Sequence, residues 1–173
     1  QPFSTGMPSF AHPRIREQDL FGITPFDQMA CRTEFHKLRY EGPMTPPSVQ
    51  GTLLYPGPAG GMNWGSVAVD EQRQLLVVNN SHWPWQVKLI PREEDIARNE
   101  AQDARQGYGI GGPQRGTPFA ARVQPFGSPL PCLKPPYGEI AVVDLTTQRV
   151  VWRRGFGFME VGLPHAAGSF VTS

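Results

Sequence analysis

Asn63, Trp64 and Asn79 bracket the stretch GGMNWGSVAVDEQRQLLVVNN (60–80), in which two apolar runs flank a polar turn. A β-hairpin over SVAVDEQRQLLVV needs neither the amides nor the indole, so the stretch raises the question of what these side chains are for. An asparagine offers one acceptor and two donors without adding charge, which suits recognition of a polar group. Its ordinary role at a strand end is to cap a turn. Asp70 and Asp144 each stand where a strand enters a turn, and the expectation for both is structural capping rather than general-base work. His36 and His82 have no second ligand at a fixed spacing, so they read as surface or capped core residues rather than metal ligands. Cys31 and Cys132 are too few for a disulfide scaffold and also lack metal-ligand spacing.

The elements that must position these residues are short. The chain has 173 residues, the length of one ordinary domain, yet carries 19 glycines and 19 prolines with 39% hydrophobic residues. The excess is spread over runs such as YPGPAGG (55–61) and GYGIGGPQRGTP (107–118), which suits short strands joined by long fixed loops. The aromatic content argues against a disordered chain. A net charge of +1 provides no electrostatic footprint for nucleic acid. No run reaches the length of a transmembrane helix and no signal peptide opens the chain. Opening at Gln1 and ending on GSFVTS, the sequence reads as a piece of something longer.

Thr24 as N-cap, Pro25 at the first helical position and Asp27 in the first turn predict a short helix within 24–40, with Phe26, Met29 and Ala30 on one face. The stretch 51–92 reads as strands, with Leu75–Val78 an inner strand covered on both faces and Pro84 blocking a regular central strand in HWPWQVKLIPR. Residues 93–128 read as an insertion loop that opens with a polar surface excursion, helical or loose. GEIAVVDLTTQRVVWRRGFG (138–157) is a second hairpin, turning at Asp144–Gln148. The fold class is all-β, built of hairpins.

The second hairpin ends in Trp152, eight residues after Asp144, and Asp144, Thr147 and Trp152 resemble the tryptophan-docking motif of quinoprotein propellers. Val142 and Gln148 depart from that motif's usual Ala and Gly, and Gln148 makes the turn less ideal. Longer strings are more specific. FDQMACRTEFHKLRYEGPMTPPSVQGTLLYPG (26–57), VKLIPRE (87–93) and GTPFAARVQPFGSPLPCLKPPYGEIAVVDL (116–145) resemble the membrane-bound, PQQ-dependent glucose/quinate/shikimate dehydrogenase family. The resemblance covers nearly the whole chain outside the polar stretch around 93–115.

That resemblance implies a partial eight-bladed β-propeller, about one and a half to two blades, whose open edges need their neighbours. It implies oxidation of a sugar or polyol such as glucose or quinate with PQQ as cofactor. A divalent cation, Ca or Mg, would be bound with the PQQ, its ligands mostly outside this chain. Ubiquinone would accept the electrons, and the enzyme would lie in the periplasm, held to the inner membrane by an anchor outside this chain. The family's catalytic base and quinone-facing Lys match no residue here, so the chain alone is expected to be inactive. Asn79 corresponds to a family Asn that contacts PQQ, Asn63 to the Asn of a GG-x-Asn-Trp string, and Trp64 to a residue packing beneath the cofactor. Lys88 is read as structural, a buried ion pair, with a quinone-side contact as the alternative. Trp83 and Trp85 would face opposite ways, walling a funnel or packing on a neighbouring blade. A periplasmic setting would also permit a Cys31–Cys132 disulfide, closing a loop of about 100 residues, though the residues alone leave free thiols equally open. A non-enzymatic propeller scaffold of outer-membrane assembly type is the competing reading, and such scaffolds lack the long strings.

Overall fold

Thr24 opens a helix by the local chemistry its sequence predicts. Its hydroxyl accepts the Asp27 N–H at 3.2 Å, and Asp27 Oδ2 accepts the Thr24 N–H at 2.9 Å. This reciprocal box satisfies two otherwise orphaned donors, and Pro25 sits where no N–H is needed. The structure is a computed structural model describing residues 5–11, 13–58, 60–62, 67–101, 116–127, 132–155, 158–159 and 170–171. In chain order the elements are α1 (Pro25–Lys37), β1 (Thr52–Leu54), β2 (Val67–Asp70), β3 (Leu75–Ser81), β4 (Trp85–Pro91), α2 (Arg92–Ala101), β5 (Phe119–Pro125), β6 (Gly138–Asp144), β7 (Arg149–Gly155), β8 (Phe158–Met159) and β9 (Phe170–Val171). They fall into two units. The first comprises Gln1–Pro13, Pro56–Trp83 and Lys134–Ser173, and the second Arg14–Tyr55 and Pro84–Leu133.

The first unit is built on a four-stranded antiparallel sheet, ordered β2-β3-β6-β7. Two hairpins make it. β3 and β6 join them over seven paired positions, from Leu75 opposite Asp144 to Ser81 opposite Gly138. β3 is therefore an inner strand, as its apolar run predicts. Alternation then decides the faces. Val78, Asn80, Glu139, Ala141 and Val143 share one face and are buried. On the edge strands Val67, Val69, Val151 and Trp152 are exposed.

The two hairpin turns are built alike. In DEQRQ the Asp70 carboxylate accepts the Arg73 N–H at 3.0 Å, and in DLTTQ the Asp144 carboxylate accepts those of Thr146 and Thr147 at 2.7 and 3.0 Å. Each turn closes on a glutamine in the left-handed region, Gln74 at φ 53° and Gln148 at φ 58°. Glycine occupies such positions without steric cost, which is why the missing Gly at 148 makes that turn less ideal.

The second unit holds a three-stranded antiparallel sheet, ordered β1-β4-β5. Its core packs Ile15, Leu20, Leu53, Phe126 and Leu133 around Cys31 and Cys132. Those cysteines form a disulfide with a Cα–Cα distance of 5.4 Å, which settles the open question of pairing. The bond also bears on which face of α1 is buried. Phe26 is 78% and Met29 62% exposed, so the face they share with Ala30 looks outward. Cys31 and, one turn on, Phe35 face the core instead, drawn in by the covalent link.

Two expectations change. β4 is a central strand after all, paired to β1 on one side and β5 on the other, because Pro84 lies just ahead of it. The stretch 93–128, expected as an insertion loop, contains most of helix α2 and the whole of strand β5. β5 was hidden because FAARVQP shows no clean apolar alternation, and its place comes from the free edge of β4.

Candidate functional site

Parity along β3 sorts the two asparagines of VVNN. Val78 and Asn80 point to the buried face, so Asn79 between them is exposed. Its backbone is fixed by the register with Ile140, while its side-chain amide makes no hydrogen bond among the described residues. Asn79 lies between two paired positions. Val78 opposes Val67, and Ser81 opposes Gly61 with N–H to O distances of 2.9 and 3.2 Å. Residues 61 and 67 flank Asn63 and Trp64 in sequence, and those two residues themselves lie outside the described residues. β3 runs two residues beyond Asn79, so Asn79 stands in a laddered strand and not in a turn that it caps.

Behind Asn79 is a polar network that the sequence reading missed. Asn80 is 1% exposed, and its Nδ2 donates to Phe10 O at 3.2 Å and to Glu139 Oε1 at 3.4 Å. Glu139, itself buried, has His82 Nε2 at 3.7 Å from Oε1 and Arg153 Nε at 3.5 Å from Oε2. A buried carboxylate needs such partners, and here they come from two segments, the end of β3 and β7. Arg153 also lies 5.2 Å from the centroid of the Phe10 ring. The usable signal was parity. Asn80 shares its face with Val78, and Glu139 shares one with Ala141 and Val143.

The remaining candidates take structural places. The backbone N–H groups of Arg73 and Thr147 lead in holding the Asp70 and Asp144 carboxyls below their ordinary range. His36 is an exposed partner of Glu17 at 3.2 Å. No cluster of three metal-binding side chains occurs among the described residues. Lys88 is exposed rather than in a buried ion pair. Trp83 packs against Tyr137 with ring centroids 5.5 Å apart, whereas Trp85 opens β4 opposite Leu54 and Pro125. No helix of the described residues is long and apolar enough to cross a membrane.

Comparison with known proteins gives these residues a context. A family model described as "PQQ: Glucose/ethanol/alcohol dehydrogenase, beta-propeller domain" matches residues 1–172. The quinoprotein glucose dehydrogenase of Escherichia coli is 41% identical over 150 residues, covering 84% of this chain and 19% of that protein. The quinate/shikimate dehydrogenase (quinone) of Acinetobacter baylyi is 36% identical over 165 residues, covering 92% of this chain and 20% of that protein. The glycerol dehydrogenase large subunit of Gluconobacter oxydans is 34% identical over 199 residues, covering all of this chain and 27% of that protein. The chain thus spans only about a fifth to a quarter of the curated relatives it matches.

Proposed function

The chain belongs to the PQQ glucose/ethanol/alcohol dehydrogenase β-propeller family, and from that premise we propose that it forms part of the cofactor-binding wall of a quinoprotein dehydrogenase acting on a sugar or polyol. The observation that carries this reading is Asn79. Its amide is exposed, unbonded among the described residues, and held on a strand paired along both edges. Such an amide fits a planar ligand edged with carbonyl and carboxylate oxygens, because it can donate twice and accept once without an opposing charge. Asn63 would add a second amide, and Trp64 would pack beneath the ligand.

PQQ, when bound, accepts the electron pair removed from the substrate's alcohol carbon. This chain's residues supply orientation. Asn79 grips a polar edge of the ligand, and the Asn80–Glu139 pair behind it fixes the strand that carries it. Neither Asp70 nor Asp144 serves as the base, since each carboxylate is committed to backbone N–H groups of its turn. The base, most ligands of a divalent cation, the contact to ubiquinone and the membrane anchor belong to parts of the enzyme beyond this chain, which acts in the periplasm. The exposed Val67, Val69, Val151 and Trp152 are the surface that neighbouring blades would cover.

The test is a dye-reduction assay of the intact gene product loaded with PQQ and calcium, offered glucose, quinate and glycerol. Turnover with at least one of them is expected, and residues 1–173 alone should show none. A PQQ-loaded intact protein that reduces no dye with any polyol or sugar would favour the scaffold reading.

A further inference from the structure

The three-stranded sheet of the second unit carries a polar cleft that the cofactor assignment does not use. Its floor is the β4–β5 pair, where Gln86 lies directly opposite Gln124 and Lys88 directly opposite Arg122. All four side chains point to the same face. Leu38 and Ile90 supply apolar wall, Gln50 contributes a third amide, and the cleft encloses about 180 Å³.

The charge arrangement is unusual for a sheet. Like charges directly opposite across an antiparallel pair are destabilising, yet Lys88 and Arg122 stand there together. Asp95, reaching down from α2 and buried, takes the Arg122 Nε and Nη2 at 3.0 and 2.7 Å. Lys88 is exposed and has no ion pair among the described residues. Lys88 therefore brings into the cleft an ammonium with no ion-pair partner among the described residues, opposite the guanidinium that Asp95 holds.

The next row along the floor is neutral and hydrogen-bonding. Residues two apart on a strand are separated by about 7 Å, so the Gln86–Gln124 amides lie about that far from the Lys88–Arg122 row. That spacing matches a small molecule with a carboxylate at one end and hydroxyls at the other. Gln50 is oriented by its own bond, its Nε2 donating to the Lys37 carbonyl at 3.0 Å. Size narrows the choice further. A cavity of about 150 Å³ admits benzene, so this one holds roughly six to ten non-hydrogen atoms and is far too small for a tricyclic cofactor.

We propose that this cleft is a binding site for a small hydroxylated carboxylate, with Lys88 on the carboxylate and Gln86 and Gln124 on the hydroxyls. The site shares no residue with the Asn79 network and does not depend on the cofactor reading. The test is calorimetric titration of the PQQ-free intact gene product with glycerate, propionate, glycerol and inorganic phosphate. Glycerate should bind at least tenfold more tightly than propionate, which lacks the hydroxyls, glycerol, which lacks the charge, or phosphate. Lys88→Ala should weaken glycerate at least tenfold, Lys88→Arg should restore most of it, and Gln124→Ala should cost a few-fold. Lys88 is exposed, so its variants should keep the wild-type melting temperature. Absence of glycerate binding, equal binding of any control, or indifference to Lys88→Ala would overturn the proposal.

Discussion

Asn80 Nδ2 lies 3.4 Å from Glu139 Oε1 across the β3–β6 pair, and both residues are buried. The contact ties the second strand of one hairpin to the first strand of the other, one position from Asn79. Asn80→Ala should destabilise the intact gene product by about 1–3 kcal/mol, because it leaves Glu139 and the Phe10 carbonyl each short of a donor. Urea unfolding measures it, and an unchanged midpoint and slope would show that the network is incidental.

The Cys31–Cys132 bond closes a sequence separation of 101 residues around the core of the second unit. Loop closure of that length predicts about 4–5 kcal/mol of stabilisation in the chain-entropy model. Cys31→Ser should therefore lower the melting temperature by many degrees, as should reductant on the wild type. A variant that melts with the wild type would contradict a formed disulfide.

Acid should act through the hairpin turns. Backbone donors, led by those of Arg73 and Thr147, hold the Asp70 and Asp144 carboxyls below their ordinary value of 3.8. A carboxyl depressed on folding stabilises above its unfolded value and loses that contribution as pH falls through the folded one. Asp144→Asn should accordingly melt lower than wild type at pH 6, with the gap closing as pH falls below about 4. A gap constant down to pH 2 would mean the carboxylate's charge plays no part.

Gln74 and Gln148 carry left-handed backbone at φ 53° and 58°, where a side chain costs about 1 kcal/mol and glycine does not. Gln148→Gly should raise stability by about 0.5–1 kcal/mol after the added unfolded-state freedom is subtracted. Loss of stability in thermal melts would show that the Gln148 side chain contributes more than its backbone costs.

Local chemistry explains what could be read in advance. The Thr24–Asp27 box and the two Asp-to-Gln turns are encoded within a few residues, so helix α1 and both hairpins were legible. Partners distant in sequence were not. Nothing in FAARVQP names β4 as its neighbour, and nothing in VVNN names Gly138–Asp144. α1 shows the same limit, since its inward face was set by a cysteine 101 residues away rather than by its own apolar pattern. In the candidate site, Asn79 was found through resemblance, while Asn80 and Glu139 needed the strand register to separate buried from exposed positions.

The central claim rests on the exposed amide of Asn79, and the most direct measurement is PQQ affinity. The intact gene product and its Asn79→Ala variant would be titrated with PQQ by quenching of tryptophan fluorescence. Loss of hydrogen bonds to an anionic ligand, about 1.5–3 kcal/mol, predicts affinity at least tenfold weaker with an unchanged melting temperature of the PQQ-free protein. Equal affinity of variant and wild type would remove Asn79 from the site and contradict the account.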